Sequence, residues 1–170
     1  MNTLIPVDGS AASTRAVRHV LQQQARLGLR QARITLLSVQ PVLYRHITRH
    51  LPRAELAAYR DSRARAALAP AIALLREAGV PYRALVAEGP IGQAVLDEAA
   101  RTGADQIVLG LRRKPAWQRM LLPSISRDVM DGATIPVAIL TQDSARTDLW
   151  SRFALPAGIG IGLTAWMLAD

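Results

Sequence analysis

Five short apolar runs, separated by four longer stretches of helical periodicity, set the architecture of this chain before any single residue is considered. The runs are Leu4 to Val7, Ile34 to Val39, Tyr82 to Ala87, Gln106 to Leu109 and Pro136 to Thr141. Between the first two, Asp8-Gly9-Ser10 opens a helix whose apolar face is Val17, Val20, Leu21 and Ala25, with Ser10 as its cap and Gly28 or a neighbour at its end. A loop around Pro41 to Pro52 leads to an alanine-rich helix from Arg53 to Ala78, closed by Gly79. Pro70 lies inside that helix and predicts a kink or a break, because proline removes one backbone donor and crowds the preceding turn. Gly89-Pro90 starts a helix that ends at Gly103, and a basic loop from Leu111 to Pro123 precedes a short helix, Ser124 to Asp131.

Strands joined by single helices run parallel with right-handed crossovers, so helices cover both faces of one sheet. Residues 1–141 are therefore expected to form one doubly wound α/β domain. Ligands in such sheets sit beyond the carboxyl ends of the strands where the winding reverses, which points to Asp8 to Ser13 and to the chain from Gly110 onward.

The chemistry available is limited. Without cysteine there is no disulfide framework and no thiolate nucleophile or zinc site, and His19, His46 and His50 show no metal-ligand spacing. Asp8, Ser10 and His19 make a poor triad, since no oxyanion loop accompanies them and capping explains Ser10 better. Asp97 and Glu98 are neighbours on one helix and point apart, so they do not form a carboxylate pair. The expectation is a chain that is not an enzyme.

The formal charge of +8 is concentrated in residues 1–65, where eleven arginines meet only Asp8, Glu55 and Asp61. This surface either solvates helix faces or favours an anionic partner. No nucleic-acid motif and no interleaved aromatics accompany it, so no nucleic acid is expected.

Val7-Asp8-Gly9-Ser10 after the first strand, Ala104-Asp105-Gln106-Ile107-Val108-Leu109-Gly110 at the fourth, and Ser124 followed by Pro136-Val137-Ala138-Ile139-Leu140 together resemble the universal stress protein family. That resemblance covers about residues 2–141. It implies a five-stranded sheet in the order 3-2-1-4-5 and often a homodimer formed through the last strand, here with Val137 and Ile139. Nucleotide-binding members carry a phosphate loop of the pattern glycine, two residues, glycine, nine residues, glycine, then serine or threonine. On this chain the pattern begins at Gly110 and ends at Ser124, but Arg113 and Pro123 occupy the second and third glycine positions. Glycine lets backbone N–H groups approach an anion, and proline has no N–H to give. No cofactor is therefore expected. The alternative is adenine-nucleotide binding, with ATP as cofactor, through Asp8, Gly9, Ser10, Gly110, Arg112, Arg113 and Ser124.

Residues 142–152 read as a polar linker, and residues 153–170 as an apolar C-terminal helix. Phe153 to Ala169 is seventeen residues without charge, at the short limit for crossing a bilayer. Trp150 and Trp166 bracket it as interfacial aromatics do, and Arg146 and Arg152 precede it. Gly158 and Gly162 supply a small-residue face for close helix approach. The competing account has the segment buried on the domain or exchanged across a dimer, since Gly-Ile-Gly-Ile-Gly also alternates with period two. The opening residues carry no secretory signal. The sequence thus predicts a regulatory or accessory binding module, cytoplasmic, tethered by its C-terminus to the inner membrane or to a membrane-protein complex.

Overall fold

A computed structural model of the 170-residue chain describes residues 1–28, 32–41, 52–111 and 125–141. The elements in chain order are β1 (Asn2–Pro6), α1 (Ala11–Leu27), β2 (Arg33–Gln40), α2 (Arg53–Glu77), β3 (Tyr82–Glu88), α3 (Ile91–Thr102), β4 (Gln106–Gly110), α4 (Ile125–Gly132) and β5 (Val137–Leu140). All neighbouring strands pair in parallel, in the order β3-β2-β1-β4-β5.

Both ends of α1 and the end of α3 have local causes. The Ser10 side chain caps α1 by accepting the Ser13 N–H at 3.3 Å, and Gly28 ends it in the left-handed conformation at φ 63°. Gly103 closes α3 in the same way. The break expected at Pro70 is absent, since α2 continues through it for 25 residues. Proline removes only one helical bond, the one its own nitrogen would give to Ala66 O. On either side Ala64, Leu68, Ala71 and Leu75 are fixed in the core.

The sheet divides two apolar layers. On one side α1 and α2 pack Val17, Val20, Leu68 and Leu75 against Ile5, Ile34, Leu36 and Val108. On the other, Val95 and Ala99 of α3 and Val129 of α4 cover Leu4, Leu37, Ile107 and Leu109. The central strands are thus apolar on both faces, as a sheet covered by helices on both sides requires. Among the described residues no helix is long and apolar enough to cross a membrane.

Candidate functional site

Beyond β1 the chain must turn sharply into α1, and Gly9 makes that turn at φ 78°. An added Cβ there would meet Ala67 Cα of α2 at 3.2 Å, so glycine serves both the turn and the approach of the second helix. Asp8, at the head of the turn, accepts the Ser10 N–H and the Ser13 hydroxyl, each at 2.9 Å and both on Oδ1. Partial burial of the carboxyl would raise its pKa. The hydrogen bonds from Ser10 and Ser13 outweigh that effect and hold it below the ordinary value of 3.8. Asp8 is therefore a carboxylate at neutral pH, anchored through Oδ1, and among the described residues no donor reaches Oδ2.

Next to it lies a cavity of about 390 Å³, bounded by the β1 end at Val7 to Gly9, the β2 end at Ser38 to Pro41, and Arg63, Ala66 and Ala67 of α2. This falls within the usual range of small-molecule sites. The small side chains of Gly9, Ala66 and Ala67 leave the space open. Ala66 O also lies beside the Gly9 turn, 3.4 Å from where a Cβ would stand. Its usual helical donor would be the nitrogen of residue 70, which is proline. Pro70 thereby withholds one helical donor from a carbonyl at the cavity wall. At the rim, Arg63 is exposed and donates from Nη1 to Tyr59 Oη at 3.1 Å, with its guanidinium 5.8 Å from the Tyr59 ring centre.

The structure brings Asp8, Gly9 and Ser10 together as one turn. Gly110 is at the carboxyl end of β4, beside β1 across the point where the strand order reverses. A Cβ on Gly110 would lie 2.0 Å from Ala12 O in the first turn of α1, so packing alone demands glycine here. Arg112, Arg113 and Ser124 lie outside the described residues, as do Trp150, Phe153, Gly158, Gly162 and Trp166. Val137 and Ile139 are half-buried on β5, a terminal strand of the sheet. His19 is nine residues along α1 from Ser10, about 13 Å at the helical rise. The imagined triad therefore has no geometry. Among the described residues no group of three or more His, Cys, Asp or Glu could hold a metal ion.

Sequence reasoning missed Ser38, Gln40, Arg63, Ala66 and Ala67. The first two were available as a signal. Ile34, Leu36, Ser38 and Gln40 share one face of β2 by strand alternation, and the face turns polar at its carboxyl end. Nothing local marks the α2 residues.

A larger cavity, about 560 Å³, opens at the other end of the sheet between α3 and the segment preceding β5. Its wall includes Ala99, Ala100, Ala104 and Ala133, and Gln93 there donates to Asp97 at 2.8 Å. Its amide and carboxylate, Gln93 and Asp97, are exposed on α3, whereas Ser38 and Gln40 are buried. The smaller cavity is the candidate site, because an anchored carboxylate, a carbonyl without its usual helical donor and a buried amide border it.

Residues 1–141 match the universal stress protein family. No curated protein matches the chain. Among solved structures it is similar to the universal stress protein UspA from Lactobacillus plantarum (24% identity, 82% of this chain and 97% of that one, TM-score 0.63). It is also similar to an Arabidopsis thaliana universal stress protein family protein with AMP bound (19%, 87% and 95%, TM-score 0.62). A third is a universal stress protein in complex with cAMP (20%, 84% and 98%, TM-score 0.55). The fold, the strand order and the family match over residues 1–141 agree, and the chain belongs to the universal stress protein family.

Proposed function

We propose that this chain is a non-catalytic regulatory module that binds an adenine nucleotide, with the nucleoside seated in the cavity beside Asp8. The observation that carries the reading is the convergence of Asp8, Ala66 O, Ser38 and Gln40 on one space at the carboxyl ends of β1 and β2. The AMP and cAMP complexes of similar structures support it. Arg113 and Pro123 replace glycines of the phosphate loop, so charge from Arg112 and Arg113 stands in for backbone donors. Such a site holds the nucleoside specifically and the phosphates loosely. Calorimetry with AMP and with ATP plus magnesium tests this. The expected result is binding of both, with ATP favoured by no more than a few fold. The absence of heat at millimolar ligand overturns it.

The family resemblance and the edge position of β5 support a homodimer paired through Val137 and Ile139, testable by sedimentation of an Ile139→Lys variant. The uncharged run Phe153 to Ala169 supports a second reading, a tether to a membrane or membrane protein. Fractionation of host cells checks it: loss of membrane association on deleting residues 153–170 is expected, and full recovery of the intact chain in the soluble fraction rejects it.

A further inference from the structure

Of the helices among the described residues, α1 alone contains no acidic residue. Its buried positions, Ala12, Ser13, Ala16, Val17, Val20 and Gln24, form one stripe against the sheet. At about 100° per residue, Arg15, Arg18, Gln22 and Arg26 fall on the opposite side, an outward face about 16 Å long. Arg18, Gln22 and Arg26 are exposed, and Arg15 is half-buried. Every helix residue three or four places from Arg15 or Arg18 is neutral or basic, and the two arginines are themselves three apart. Like charges at that spacing weaken a helix slightly, so helix stability does not account for the stripe. His19, half-buried beside it, feels the same field: burial, and then Arg26, hold its imidazole below the ordinary pKa of 6.5.

The charge is one-sided. Across the sheet, α3 and α4 carry Asp97, Glu98, Asp128 and Asp131 against Arg101 and Arg127, while α2 mixes Glu55, Asp61 and Glu77 among its arginines. Protein interfaces centre on large apolar or aromatic anchors. The large apolar side chain that α1 exposes is Leu27, 60% exposed at the tip of the stripe beside Arg26. A row of guanidinium groups ending in one apolar side chain matches a layer of phosphate headgroups over hydrocarbon better than it matches a packed protein face.

We propose that the outward face of α1 binds anionic lipid, with Arg15, Arg18 and Arg26 on headgroup phosphates and Leu27 entering the interface beside them. This goes beyond the nucleotide reading. It also adds to the tether reading a selectivity that the uncharged run Phe153 to Ala169 does not supply, because a segment without charge does not distinguish anionic from neutral lipid. The guanidinium fork pairs with phosphate oxygens, and each basic residue close to an anionic surface raises partitioning about fivefold. With α1 toward the bilayer, the acidic balance of α3 and α4 lies on the far side of the sheet.

Sedimentation of the full chain with vesicles of phosphatidylcholine alone, and of phosphatidylcholine mixed with phosphatidylglycerol, reads the effect. Binding to the anionic vesicles is expected to be at least about tenfold tighter, an advantage lost at about 1 M salt. Arg18→Gln with Arg26→Gln, both at exposed positions, should lower that preference by about tenfold or more and leave binding to neutral vesicles unaltered. Arg83→Gln with Arg127→Gln removes the same charge from exposed positions on the α3 and α4 side, and should change the preference by no more than about twofold. Equal binding to both vesicles overturns the assignment and leaves the tether standing. Equal losses in the two double variants overturn it as well, and so does indifference to lipid charge with α1-dependent binding of polyglutamate, which assigns the stripe to an acidic protein. Binding to anionic vesicles alone upholds the α1 surface and removes the lipid tether. Binding to neither vesicle overturns both.

Discussion

The two ends of this sheet hold cavities of comparable scale whose polar side chains differ in burial. At the amino ends of the strands the larger space has a wall rich in alanine, and Gln93 and Asp97 there bond to each other. At the carboxyl ends the smaller one has a carboxylate fixed through one oxygen, a carbonyl whose helical donor is replaced by proline, and two buried polar side chains bonded to each other. Burial of polar groups, rather than volume, marks the smaller cavity as the candidate site. The winding of the chain explains the asymmetry, because helices begin where strands end, and turns such as Asp8-Gly9-Ser10 collect there.

The sharpest way to break this comparison is to fill a glycine at each end. Gly110→Ala places a methyl 2.0 Å from Ala12 O, and the backbone must move, so a loss of about 3 kcal/mol or more in denaturant unfolding is expected. Gly103→Ala, at the opposite end, meets nothing within 4 Å and pays only for its φ of 59°, roughly 1–2 kcal/mol. Equal losses would remove the claim that packing against Ala12 demands glycine at position 110. Asp8→Ala should weaken AMP at least about tenfold by calorimetry, the equivalent of about 1.4 kcal/mol, while Asp97→Ala at the other cavity leaves binding unchanged. Ser10→Ala removes the α1 cap and should lower stability by about 1 kcal/mol.

The smallest effect is a dependence on pH. Because the folded state holds the Asp8 pKa below 3.8, its contribution is complete above that value and lost as pH falls through the lowered folded pKa. Asp8→Asn should flatten the acid limb of the stability curve below pH 3.8 and leave the neutral region's slope unaltered.

Much of the fold was legible because its signals are local. Apolar runs marked the strands to within about two residues, and Ser10, Gly28 and Gly103 punctuated helices where expected. The strand order came from the family resemblance, since parallel winding alone leaves several orders open. Half of the candidate site was legible for the same local reason, in Asp8, Gly9 and Ser10. The other half depends on α2 passing over the end of β2, a contact between segments more than twenty residues apart. Pro70 illustrates the limit. The sequence marks it as a threat to the helix, and only the packing of Ala66 beside Gly9 relates it to the cavity.

Gly110 has no side chain that could change rotamer, and the peptide between Ala12 and Ser13 of α1 fills the space where its Cβ would stand. The strand and the helix meet there like two bars sharing a pin. Any shift at the end of β4 must therefore be shared with the start of α1, and so with the turn that carries Asp8.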